Sequence, residues 1–156
     1  MFRLYSSNGI GNVYNCTYSK QVDITDKQSL IEAVSHDYVS VLYRDNHRDC
    51  NSFIESNCII MDCDNTHSDN PSKWLNVSDV QTAFTDVAFA VHYSRNHMRE
   101  KDGRTARPKF HILFRYDKYV QSYTKFILFI LWHSRDMPSC FIEPDFADIA
   151  GYFRLV

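Results

Sequence analysis

The hydrophobic pattern changes sharply between Cys58 and Asp64. The apolar run Cys58-Ile59-Ile60-Met61 gives way to an alternation in which Asp62 and Asp64 flank Cys63. Side chains two apart on a strand share a face, so the pattern predicts a strand that delivers both carboxylates to one place. Val87-Ala88-Phe89-Ala90-Val91-His92-Tyr93-Ser94 reads as a second strand. With Val87, Phe89, Val91 and Tyr93 packed inward, His92 and Ser94 face the other way. Lys109-Phe110-His111-Ile112-Leu113-Phe114 is a third strand. Its alternation places Phe110, Ile112 and Phe114 on one face and Arg107, Lys109, His111 and Leu113 on the other.

Helical signals separate these strands. Thr25 with Gln28 three residues on, ahead of Leu30, Ile31 and Val34, has the form of a capping box. Asn76 or Ser78 starts a short helix through Val80 and Phe84. Tyr123, Phe126, Ile127, Ile130 and Leu131 keep helical spacing and predict a largely buried helix. The apolar run 126–132 falls far short of the roughly 20 residues needed to cross a bilayer. The order helix, strand, helix, strand, strand, helix predicts an α+β fold, a two-layer sandwich with a mainly antiparallel sheet.

Composition agrees with one domain over 1–156. The chain is 44% hydrophobic and 15% aromatic, with only four glycines and four prolines and no repeat or linker tract. A net charge of −2 carries no global nucleic-acid signal, but from Arg95 to Lys118 eight Lys/Arg stand against three acids. Five cysteines without a Cys-x-x-Cys pair read as free thiols of a reducing cytoplasm. Zinc on His47, Cys50, Cys58 and Cys63 is disfavoured, because Cys58 begins an apolar strand and Cys63 points away from Asp62. The N-terminus lacks a signal-peptide core, so a cytoplasmic protein without a membrane partner is expected. No Gly-x-x-x-x-Gly-Lys-Ser/Thr sequence occurs, so unwinding of a duplex would fall to a separate helicase or replication protein.

Candidate chemistry follows from the polar faces. Two carboxylates held together repel unless a cation lies between them, and a divalent metal is one solution. The other reading is a solvated strand end entering the turn-rich Asp64–Pro71 segment. His111 in line with Arg107 and Lys109 points to an anion such as a phosphate, against the alternative of a satisfied core histidine. The loop after Ser94 adds Arg95, Arg99, Lys101 and Arg104, either phosphate-gripping or merely solvated.

Taken in order, Asp62-Cys63-Asp64-Asn65, Tyr93-Ser94-Arg95-Asn96-His97 and Arg107-Pro108-Lys109-Phe110-His111 resemble the archaeo-eukaryotic primase superfamily. More closely, these segments resemble the primase or primase-polymerase domains encoded by bacterial phages and integrated mobile elements. It extends over most of the chain, including Asn12-Val13-Tyr14-Asn15 and the approach from Phe53 to Asp64. The resemblance implies a core like an RNA-recognition motif and template-directed transfer from NTP or dNTP using two Mg2+ or Mn2+ ions. It implies that Asp62 and Asp64 bind metal with a third acid among Glu143, Asp145 and Asp148. His111 would contact the nucleotide phosphates, with Ser94, Arg95, His97, Lys101, Arg107 and Lys109 around them and single-stranded DNA as template. In the tail, Gly151 stands where such domains tend to carry arginine.

Three alternatives share these residues. A rolling-circle nickase needs a His-hydrophobic-His pair, which this strand lacks. A metal-dependent nuclease lacks an obvious general-base lysine at short spacing. A degenerate primase-like protein of a mobile element would act as a nucleic-acid- or protein-binding module, for example inhibiting a host factor.

Overall fold

A computed structural model describes residues 1–85, 87–101 and 103–127. It combines helices with antiparallel sheets. The strands are β1 (Phe2–Ser6), β2 (Lys20–Ile24), β3 (Tyr38–Val39), β4 (Val41–Tyr43), β5 (Phe53–Cys63), β6 (Phe89–Tyr93) and β7 (Phe110–Val120). Helices α1 (Lys27–Val34) and α2 (Val77–Ala83) lie between them. One sheet has the order β2-β1-β3 and the other β4-β5-β7-β6. The described residues fall into two compact units, one of 1–60 with 114–127 and one of 61–113.

In the first unit β1 pairs with β2 over its full length, from Phe2 opposite Ile24 to Ser6 opposite Lys20. Strand β2 is a clear case of period-two patterning, with Val22 and Ile24 buried while Gln21 and Asp23 face solvent. Leu4, Tyr5, Ala33, Val41, Cys58 and Ile59 complete this core. The Ser6 hydroxyl donates to the Ala33 carbonyl at 2.9 Å and ties β1 to the end of α1.

Helix α1 starts one residue later than the Thr25 pattern predicts. Asp26 is the cap: its carboxylate accepts from the Ser29 N–H at 2.8 Å, and the Ser29 hydroxyl accepts from the Asp26 N–H at 3.1 Å. A carboxylate is the stronger partner for the orphan N–H groups and the positive end of the helix dipole. Helix α2 is capped by Asn76, the earlier of the two expected starts. The helical segment expected around Ile130 and Leu131 lies outside the described residues beyond residue 127, and residues 123–127 are helical.

In the second unit, Met61, Cys63, Val80, Phe110, Ile112 and Leu113 are buried. Strand β6 departs from the inward packing expected of it. Val87, ahead of the strand, and Tyr93, at its end, are exposed, Tyr93 by 59%, and among the described residues β6 is the outermost strand of its sheet. Leu113 shares the parity of His111 but is fully buried, so the polar face of β7 is interrupted there before the exposed Arg115 and Asp117. Among the described residues no helix is long and apolar enough to cross a membrane.

Candidate functional site

The polar faces of β5, β7 and β6 meet in two rows. In the first, Asp62 Oδ1 lies 2.9 Å from His111 Nε2, and the His111 ring contacts that of His92, with centroids 4.7 Å apart at 71°. In the second, Asp64 Oδ1 lies 3.5 Å from Lys109 Nζ, and the Lys109 carbonyl accepts from the Ser94 N–H at 3.0 Å. Stepping forward from 62 to 64 steps back from 111 to 109 and forward from 92 to 94, the register of antiparallel neighbours. The opposite face carries buried Met61, Cys63, Phe110 and Ile112, so hydrophobic burial fixes which way the acids point.

The two acids are the open partners of these contacts. The Asp62 and Asp64 side chains are 46% and 37% exposed, and each meets its basic neighbour through Oδ1, whereas Lys109 is buried and His111 is largely covered. The Asp64 carboxylate thus faces water on one side and matches the charge of a buried ammonium group on the other.

His92 behaves differently. Burial, reinforced by neighbouring His111, pushes its imidazole from 6.5 down to about 4, against the smaller opposing pulls of the Tyr93 carbonyl and Asp62. His92 is thus neutral at physiological pH. Its Nδ1 lies 3.1 Å from the Tyr93 carbonyl, which can only accept, so the proton sits on Nδ1 and Nε2 is an acceptor. Sequence parity with Ser94 already placed His92 on this face.

The connection from Ser94 to Lys109 is a hairpin. The Met98 N–H donates to the Arg107 carbonyl at 3.0 Å, and Lys101 and Arg104 exchange backbone hydrogen bonds near the tip, where Gly103 takes φ 74°. His97 returns to the site: its Nδ1 accepts from the Lys109 N–H at 3.2 Å and its ring lies 4.1 Å from that of Tyr93. The Ser94 hydroxyl accepts from the Asn96 N–H at 3.1 Å and shapes the same turn. Arg95 is exposed on this hairpin and Lys101 sits toward its tip.

Arg107 leaves the polar face altogether. Its side chain is 1% exposed and lies beneath the loop that follows Asp64, with its guanidinium 5.2 Å from the Trp74 ring. Asn65, also 1% exposed, is the centre of that loop. In the sequence it stands as one turn former among several and as the last residue of the Asp62-Cys63-Asp64-Asn65 segment, with no role of its own.

Asp62 and Asp64 offer two hard oxygen donors from one face. That set suits Mg2+ or Mn2+, which bind through few protein carboxylates and keep waters and substrate phosphates as further ligands. Among the described residues no group of three or more His, Cys, Asp or Glu side chains is placed to hold a metal, and Glu143, Asp145 and Asp148 lie outside the described residues. Cys58 and Cys63 are buried while Cys50 is exposed, and burial pushes the Cys58 thiol up and away from the thiolate a zinc ion needs. Comparison with family models, with curated proteins and with solved structures returned no match.

Proposed function

We propose that this chain is a primase-polymerase catalytic domain with a core like an RNA-recognition motif. In this reading it transfers nucleotidyl groups from NTP or dNTP onto a strand templated by single-stranded DNA. The observation that carries the reading is the pair of rows on one solvent-facing sheet surface. They place two carboxylates, Asp62 and Asp64, beside an imidazole and an ammonium group, His111 and Lys109.

Nucleotidyl transfer is chiefly positioning and charge neutralisation, which this set of groups provides. Asp62 and Asp64 would hold Mg2+ or Mn2+ with a third acid among Glu143, Asp145 and Asp148. The bound ions would neutralise charge at the attacking and leaving oxygens. Lys109 and His111 offset triphosphate charge, and Ser94 and His97 line the same end of the sheet through their bonds to the Lys109 backbone. Arg95, Arg99, Lys101 and Arg104 extend a basic hairpin along which template phosphates can run. A separate helicase and a cytoplasmic location complete the proposal.

The reading is tested by nucleotide incorporation on single-stranded DNA, primed and unprimed, in Mg2+ or Mn2+. The comparison is the parent against the Asp62→Ala/Asp64→Ala double variant. Metal-dependent products from the parent alone support it, and unprimed products make the protein a primase. A folded parent that makes nothing overturns it in favour of a binding module. A companion titration assigns His111: His111→Ala should weaken triphosphate binding far more than template binding, and equal losses would remove it from the phosphate site.

A further inference from the structure

Arg107 lies two residues before Lys109, and alternation places both on the basic face. In the structure every donor of Arg107 is already committed. A guanidinium has five N–H groups. Nε donates to the Thr105 carbonyl at 3.2 Å, Nη1 to the Asn65 and Ser68 carbonyls at 2.9 and 3.4 Å, and Nη2 to Asp69 Oδ1 and Thr105 Oγ1 at 2.9 and 3.3 Å. With its donors engaged and its face against Trp74, this group has nothing left to offer a phosphate.

Asn65 is saturated in the same way. Its Nδ2 donates to the Leu75 and Pro108 carbonyls, each at 2.9 Å, and its Oδ1 accepts from the Leu75 N–H at 2.7 Å. It holds a left-handed backbone, φ 54°, that asparagine tolerates better than most residues. Asn65 directly follows Asp64, and Pro108 directly precedes Lys109. The Asn65–Pro108 bond and the Arg107–Asn65 bond therefore cross-link the residues flanking the Asp64–Lys109 pair, whose own contact is loose at 3.5 Å.

We infer that Arg107 and Asn65 are positioning residues: a buried clamp that sets the placement of Asp64 relative to Lys109, with Arg107 taking no part in binding the triphosphate. The inference rests on the catalytic reading above for what the clamp serves, and on the hydrogen bonds alone for what the clamp does. Lysine cannot replace the fork, since one ammonium group has three donors in a different geometry.

The test compares the parent with Arg107→Lys and with Asp69→Asn, the latter at an exposed position that guards against a variant that fails to fold. Three quantities are read: amide hydrogen exchange at Leu75 and Lys109, affinity for Mn2+ alone, and affinity for ATP in EDTA. Arg107→Lys should speed exchange at Leu75 and Lys109 at least about tenfold while amides of β1 keep their rates. Mn2+ affinity should fall about tenfold, as when outer support of a ligand is lost, while metal-free ATP affinity stays within about twofold. Asp69→Asn should shift the same quantities the same way by less. Unchanged exchange at Leu75 and Lys109, or loss of ATP affinity without faster exchange, overturns the clamp. A parent that takes up no Mn2+ refutes the metal-dependent reading instead, and the exchange pattern then still decides the clamp.

Discussion

Two clusters of acid, base and amide groups stand next to each other in the 61–113 unit, and they are built on opposite principles. On the row face the carboxylates of Asp62 and Asp64 are exposed to solvent and meet His111 and the buried Lys109 at 2.9 and 3.5 Å. The Arg107–Asn65 cluster is buried, and its donors are matched to acceptors. A buried polar group left unpaired costs about 1–3 kcal/mol, so the interior cluster has to be complete to exist. The exposed carboxylates have no such requirement and face water with part of their oxygen surface. Arg107 and Lys109 are both buried but differ in their partners: Arg107 spends its donors on several acceptors, whereas Lys109 meets the exposed Asp64 carboxylate.

That contrast is broken most directly at Asp64. Asp64→Asn should lower metal-dependent incorporation on the order of 10²–10³-fold, comparable to removing a principal electrostatic group from an active site. The urea midpoint should move little, because Asp64 itself is over a third exposed and the asparagine Oδ1 can still accept from the buried Lys109 ammonium group. A large loss of stability would mean that the open face is structural after all.

Arg107→Ala inverts the signature. It strands the buried Asn65 carbonyl and should cost up to about 3 kcal/mol in urea unfolding. At Asn65, the glycine variant should be about 1 kcal/mol more stable than the alanine variant, since both lose the amide bonds but only alanine keeps the strain of φ 54°. Equal stabilities would show that the backbone there relaxes freely.

A smaller effect should appear with pH. The folded pKa of His92, about 4, lies below its ordinary 6.5, so the unfolded chain binds the extra proton first. Desolvation of the ring sets this, neighbouring His111 adds to it, and the Tyr93 carbonyl and Asp62 pull the other way. The His92 contribution is present above 6.5 and is lost as pH falls from 6.5 through about 4. His92→Gln should flatten the stability profile in that window, read by urea midpoints at several pH values, and an unchanged slope would contradict a half-buried neutral imidazole.

Much of this could be read from the residues. The alternation Met61-Asp62-Cys63-Asp64 sends the acids to one face because Met61 and Cys63 have to be buried, and Phe110 and Ile112 do the same for Lys109 and His111. Alternation failed where its premise failed. Tyr93 faces solvent at the end of β6, the outermost strand of its sheet among the described residues, and Arg107 lies ahead of β7, where strand parity no longer governs its side chain. The bonding of Asn65 was hidden because turn formers are common in loops, and only the fold shows which one bonds across to Pro108. Asp26 displaced Thr25 as helix cap because two adjacent candidates compete and the carboxylate wins. The strands β1 and β2 went unread, although Val22 and Ile24 alternating with Gln21 and Asp23 carried the signal for β2.

The most direct measurement is labelled-nucleotide incorporation on single-stranded DNA with Mn2+, by the parent and by Asp64→Asn at matched folded concentration. The account predicts templated products from the parent and none above background from the variant. Equal synthesis by the two would contradict the assignment of the Asp62 and Asp64 face as the site of nucleotidyl transfer.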